Sequence, residues 1–120
     1  LLKKIKFINI LLIDIEDILN TNKKNIIPNK FNLHQNYPNP FNPTTRIKYD
    51  LPEDELVNVA IYNVMGRNIK TLINLNQNAG YHSIIWDAKN DIGEVVAAGV
   101  YIIMIQAGQF RSTKKMVLLK

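Results

Sequence analysis

The sequence contains no cysteine. That absence removes disulfides, thiolate metal ligands and thiol nucleophiles together, so packing alone holds the chain in any compartment. Serine and histidine are almost as scarce, with only Ser83, Ser112, His34 and His82 to supply serine hydroxyl or imidazole chemistry. No apolar run approaches the roughly 18 residues that a membrane span requires, which excludes integral helical membrane insertion. What is present is 120 residues, 47% apolar and 21% charged, the size and composition of one globular domain.

Charge of one sign is also missing locally. The 15 Lys plus Arg and 10 Asp plus Glu give a formal charge of +5, which by itself invites a nucleic-acid reading. Residues 31–109, however, carry five basic residues against seven acids, a balance of −2. Residues 110–120 carry Arg111, Lys114, Lys115 and Lys120 with no acid, a balance of +4, and residues 1–30 contribute the remaining +3. A slightly acidic body therefore lies between two basic ends. Nucleic-acid recognition would interleave basic residues with aromatics on one face, and the C-terminal stretch offers only Phe110, so nucleic acid is not an expected partner. Lysines on an edge strand also block edge-to-edge association, which is a sufficient structural reason for them. Ile, Asn and Lys number 18, 16 and 12; all three are spelled by AT-rich codons, which accounts for part of the basicity.

Residues 1–30 differ in texture from the rest. Ile5, Ile8, Leu12, Ile15 and Leu19 recur at helical spacing, but Lys at the start and Asp14, Glu16 and Asp17 toward the end oppose the helix dipole. Lys3, Lys4 and Lys6 before the apolar stretch Phe7 to Ile13 suggest a secretory signal remnant, although Asn9 and Asp14 interrupt it and no small-residue cleavage site follows. The end of an upstream region is the alternative, and Asn20 to Lys30, with Thr21, four Asn and Pro28, reads as a linker in either case. A domain is expected over 31–120.

From Phe31 onward, short apolar stretches are separated by Gly, Pro, Asn and Asp at intervals typical of all-β domains. Thr45 to Leu51 is an expected strand. Val57, Val59 and Ile61 alternate with Asn58, Ala60 and Tyr62, the period of a half-buried strand. Asn63 to Arg67 forms a turn in which Gly66 is free to take a positive φ. Ile69 to Leu75 is a third strand, and Gly80 opens a fourth in which His82, Ile84 and Trp86 share one face. After the polar loop Asp87 to Gly93, the nearly all-apolar Val100 to Gln106 is expected to be a central strand buried on both faces. A tight connection at Ala107 to Gln109 leads into the last strand, Phe110 to Leu119. Six strands, or seven if Val95 to Ala98 pairs separately, predict an immunoglobulin-like antiparallel β-sandwich.

The sequence offers no assembled catalytic group. His82 and Ser83 are adjacent on a strand and point to opposite faces, so they cannot form a dyad. Asp87, Asn90, Asp91, Gly93 and Glu94 cluster as calcium ligands often do, but the alternating spacing of a calcium loop is missing, and the same residues build ordinary turns. No catalytic residue, cofactor site or metal site is expected. The most unusual stretch is Asn36-Tyr37-Pro38-Asn39-Pro40-Phe41-Asn42-Pro43. Its prolines remove three backbone donors and disfavour helix, predicting a stiff, polyproline-like cap that folds Tyr37 and Phe41 over the open end of the sandwich.

Several motifs together resemble a known family. Leu33-His34-Gln35-Asn36-Tyr37-Pro38-Asn39-Pro40-Phe41-Asn42-Pro43-Thr44-Thr45 and Tyr49-Asp50-Leu51-Pro52 resemble the start of the type A C-terminal sorting domain of type IX (Por) secretion cargo. Ile61-Tyr62-Asn63-Val64-Met65-Gly66, Ala79-Gly80-Tyr81-His82, Trp86-Asp87, Ala97-Ala98-Gly99-Val100-Tyr101 and Thr113-Lys114-Lys115-Met116-Val117-Leu118-Leu119-Lys120 continue the resemblance in order. Ala88 and Ala98 depart from it, standing where the family often has Gly and Ser. A similar sandwich occurs in the flagellar hook-capping family, so fold alone does not fix function.

The resemblance implies a non-catalytic sorting domain of Bacteroidetes-type bacteria that targets a secreted cargo to the type IX outer-membrane translocon, for export or cell-surface attachment. Its implied partners are that secretion machinery and an upstream cargo domain, and its location is secreted or cell-surface after passage through the periplasm. Mapped onto this chain, the candidate recognition residues are Gly99, Val100 and Tyr101 with Lys114, Lys115, Met116, Val117, Leu118, Leu119 and Lys120. The alternative is an immunoglobulin-like adhesion module that binds carbohydrate or protein through exposed loops.

Overall fold

The structure, a computed structural model, describes residues 27–120. The helix or signal remnant considered for the first residues lies outside the described residues. Within them the chain is all-β, with seven strands: β1 (Asn32–Leu33), β2 (Thr45–Leu51), β3 (Glu55–Asn63), β4 (Asn68–Gln77), β5 (Gly80–Trp86), β6 (Gly99–Ala107) and β7 (Phe110–Leu118).

The strands form two antiparallel sheets, one ordered β1-β2-β5 and the other β4-β3-β6-β7. Alternation explains how they close on each other. Ile47, Tyr49 and Leu51 of β2 turn inward, as do Val57, Val59 and Ile61 of β3 and Ile103, Ile105 and Ala107 of β6, and all are essentially fully buried. Each Val, Leu or Ile so buried contributes roughly 1.5–3 kcal/mol of transfer free energy. The period-two pattern over 57–62 thus identified its strand correctly, and the turn after it places Gly66 at φ +81°.

Three expectations need correction. The seventh strand is Asn32–Leu33, not Val95 to Ala98; Val95 makes only an isolated bridge to Lys89. β6 is central but is buried on one face alone: Tyr101, Ile103, Ile105 and Ala107 are buried, Val100, Ile102 and Met104 are half-buried, and Gln106 is exposed. An apolar run reports only that both faces tolerate apolar groups. Burial on the second face needs another layer, and none covers the outside of the four-stranded sheet among the described residues.

The proline-rich segment is the third correction. It runs as successive bends at residues 38–40 and 42–43 instead of as a polyproline-like rod, with the Tyr37-Pro38, Asn39-Pro40 and Asn42-Pro43 bonds all cis. Its two aromatics also part company, since Phe41 is 2% exposed and Tyr37 is 81% exposed. The departure at Ala88 has a visible consequence: this buried alanine takes φ +62°, a left-handed conformation that glycine adopts more readily.

Candidate functional site

The bends around the prolines are held by Asn36, which is buried and fully satisfied. Its Nδ2 donates to the Pro38 carbonyl at 3.2 Å and to Thr45 Oγ1 at 3.0 Å, while Thr45 Oγ1 itself donates to Pro38 O at 2.8 Å. A side-chain amide with two donors is needed because the prolines supply no N–H of their own.

The segment so shaped lies along β7. Phe41 N donates to Val117 O at 2.9 Å, and Leu119 N donates back to Phe41 O at 2.9 Å, a parallel bridge centred on Leu118. Asn39 Oδ1 accepts from Val117 N at 2.9 Å, and Gln35 Nε2 donates to Lys115 O at 2.8 Å. Four bonds therefore occupy the outer edge of the last strand from residue 115 to 119. The proline-rich segment is a clasp on the C-terminus.

Beneath the clasp, three motifs distant in sequence meet in one aromatic cluster. The Phe41 ring tilts against Trp86 at 5.7 Å, and the Tyr101 ring meets Trp86 edge-on at 5.4 Å. Such pairs are stabilising beyond the area they bury. The polar atoms of the cluster are also satisfied: Trp86 Nε1 donates to Lys89 O at 2.9 Å, and the Tyr101 hydroxyl donates to Ala97 O at 2.5 Å. Burial pushes the Tyr101 phenol above its ordinary value of 10.0. Tyr49 is raised for the same reason, against a smaller opposing pull from its bond to Gln77.

This geometry sorts the candidate recognition residues. Tyr101, Met116 and Leu118 face the core and are buried, and Lys114 is half-buried on the same side of β7. Gly99 starts β6 at φ +147°, opposite Leu118 in register, and Val100 pairs with Val117. Lys115, Leu119 and Lys120 are exposed and Val117 is half-exposed. Of these candidates only Lys115, Leu119 and Lys120 are exposed, while Gly99 to Tyr101 belong to the strand that β7 pairs with. None of Arg111, Lys114, Lys115 and Lys120 has a carboxylate partner among the described residues. Gly80 and Gly66 belong to the turns that begin β5 and end β3.

His82 and Ser83 do face opposite ways. The His82 ring stacks on Tyr49 at 5.3 Å, and Ser83 Oγ accepts from Arg46 on the outer face at 3.1 Å. In the polar loop, Asn90 Oδ1 accepts from Ile92 N and Glu94 N, and Asp91 Oδ1 accepts from Thr71 N. Those carbonyl and carboxylate oxygens are engaged in shaping the turn and tying it to β4.

The model for the secretion system C-terminal sorting domain matches residues 35–119. This chain belongs to that family. The match begins at Gln35, the first residue of the clasp to hold β7, and ends at Leu119, the last residue the clasp holds. No curated protein matches the chain. Among solved structures it is similar to dimeric latent PorU from Porphyromonas gingivalis, at 18% identity and TM-score 0.56, covering 77% of this chain and 10% of that one. It is also similar to PorZ, a surface component of the type IX secretion system of the same organism, at 19% identity and TM-score 0.49, covering 75% and 11%. FlgD from P. aeruginosa matches at 29% identity and TM-score 0.48, covering 62% and 57%. The chain thus spans about a tenth of the length of PorU and PorZ, and the likeness to PorU is one of fold.

Proposed function

We propose that this domain is a non-catalytic sorting handle that directs an attached cargo to the type IX outer-membrane translocon, for export or retention at the cell surface after passage through the periplasm. The observation that carries the reading is the family match over residues 35–119, which contains the whole clasp and the strand it holds. The physical support is the state of β7. Its buried residues and clasped edge fix the last strand against the sandwich, so the exposed basic groups Lys115 and Lys120 stand at a defined place beside Leu119. A receptor with an acidic surface meets them by charge complementarity. Simple strand addition along 115–119 is disfavoured, since those backbone groups already have partners in the clasp.

Deleting Lys114 to Lys120 is a blunt test, because it also removes Met116 and Leu118 from the core. The sharper test fuses a periplasmic reporter to the chain and changes only exposed side chains, Lys115→Gln, Leu119→Ser and Lys120→Gln, which keeps the Leu119 amide on Phe41 O. The expected outcome in a host with this secretion machinery is a reporter trapped in the periplasm while the domain retains its β-sheet circular dichroism. Export of that folded variant at the unaltered rate overturns the reading.

A further inference from the structure

Two aromatic motif residues are left largely exposed by the clasp and the core. Tyr37 and Tyr81 belong to the quoted Asn36-Tyr37-Pro38 and Gly80-Tyr81-His82 motifs, yet their side chains are 81% and 62% exposed. Both line a trough of about 900 Å³ on the solvent face of the three-stranded sheet. Tyr37 bridges to Arg46 and Tyr81 pairs with Asp50. Four residues of β2 separate those positions, so the tyrosines stand roughly 13 Å apart along the strand.

The floor between them is polar and cationic. Arg46 and Lys48 point outward from β2, Lys48 pairs in register with Ser83, and Arg46 Nη1 donates to Ser83 Oγ at 3.1 Å. At one end His34 Nε2 and Asp50 Oδ2 are 2.8 Å apart, which engages the one carboxylate lining the trough. Neither Arg46 nor Lys48 has a carboxylate partner among the described residues. Two unmatched cations between two exposed aromatic rings ask for a ligand with anionic groups and flat apolar faces.

We propose that this trough binds a short acidic oligosaccharide bearing carboxylates, that is, a uronate oligomer. Its sugar rings present C–H faces to Tyr37 and Tyr81, its carboxylates meet Arg46 and Lys48, and its hydroxyls meet Ser83 and Gln35. A few convergent polar groups among aromatic walls are the ordinary makeup of a small-ligand site. An acidic peptide fits less well. The backbone of β2 is already engaged on both sides, by β5 along one edge and by β1, His34 and Tyr37 along the other. A peptide lying on this face therefore gains no main-chain pairing. Single-stranded nucleic acid also stacks on aromatics, but it needs a continuous basic track along its backbone, and Arg46 and Lys48 are the only Lys or Arg lining the trough.

The proposal does not rest on the export reading, which concerns the chain terminus on the other sheet; the trough and the clasp share Gln35. Isothermal titration calorimetry of the full chain at low ionic strength, with trigalacturonate as probe, tests it. The expected result is saturable binding that weakens about tenfold or more in Tyr81→Ala and in the Arg46→Gln/Lys48→Gln double variant, a loss of the size a hot-spot contact produces. Tyr81→Phe, which keeps the ring face, retains the affinity, and Lys89→Gln, outside the trough, leaves it unchanged. Maltotriose, tetraglutamate and a short oligothymidylate bind at least tenfold more weakly. Absence of trigalacturonate binding, equal binding of the neutral sugar, tighter binding of the peptide or the oligonucleotide, or Tyr81→Ala binding like the parent each overturns the proposal.

Discussion

The two ends of the last strand are opposites. From Lys115 to Leu119 the outer edge of β7 is held by four hydrogen bonds from Gln35, Asn39 and Phe41, with Met116 and Leu118 in the core beneath it. From Arg111 to Thr113 the same edge has no such covering among the described residues, and Arg111 and Thr113 are exposed. Free edges invite pairing with other chains, and charged side chains are one way that proteins discourage it. Arg111 serves the open end in that manner, whereas Lys115 and Lys120 stand on the part of the strand that the clasp immobilises. The contrast shows that most of the motifs carrying the family resemblance act as fasteners. Asn36, Asn39, Phe41, Trp86 and Tyr101 shape, anchor or support the clasp, and few of them face outward.

The largest effect expected from breaking this contrast comes from Phe41→Ala. Removing the ring that packs on Trp86, from a residue whose backbone brackets Leu118, should cost about 3–5 kcal/mol in urea unfolding of the full chain. The amides of Val117 and Leu119 should lose hydrogen-exchange protection more than those of β3. Unchanged protection at Val117 would mean that β6 alone secures the end of β7.

A smaller loss is expected from Asn39→Ala, which removes one acceptor and leaves the Val117 amide to water. Its cost is roughly 1 kcal/mol, with faster exchange confined to the end of the strand. Arg111→Ala at the open end should change stability by less than about 0.5 kcal/mol. Equal costs for the two would erase the distinction between the ends.

The slightest effect needs only a change of pH. Burial raises the folded-state value of Tyr101 above the unfolded 10.0, so the folded state keeps its proton where the unfolded chain has released it. The resulting stability is fully present below pH 10 and falls as pH rises from there through the folded value. Urea midpoints between pH 9 and 12 should decline more steeply in the parent than in Tyr101→Phe. Parallel declines would remove Tyr101 from the account and leave Tyr49, raised likewise, to carry it.

Much of the fold was legible because it is written in local alternation. Thr45 to Leu51 is a strand with the expected bounds, and Val57, Val59 and Ile61 point inward as their spacing requires. The tight Gly108-Gln109 turn joins β6 to β7 as anticipated. The run Val100 to Gln106 misled because hydrophobicity within a strand does not say how many layers the fold places around it. Within the site, Tyr37 and Phe41 lie four residues apart in similar proline contexts, and no local rule separates their fates. Phe41 is buried because Trp86 and the end of β7 are beside it; Tyr37 is exposed because its neighbour is Arg46 on the outer face.

By itself the sequence determined the all-β class, most strand positions, the basic terminus and the family, since each of these follows from composition, period or ordered motifs. Only the tertiary structure decided that Gln35 and Asn39 close on residues 80 and 78 positions away, that Tyr101 and Met116 are turned inward, and that Tyr37 and Tyr81 share a trough. Side-chain amides reach a backbone edge only after two sheets have packed and brought distant segments within hydrogen-bond distance. That juxtaposition is set by the burial of the core as a whole, and no window of neighbouring residues encodes it.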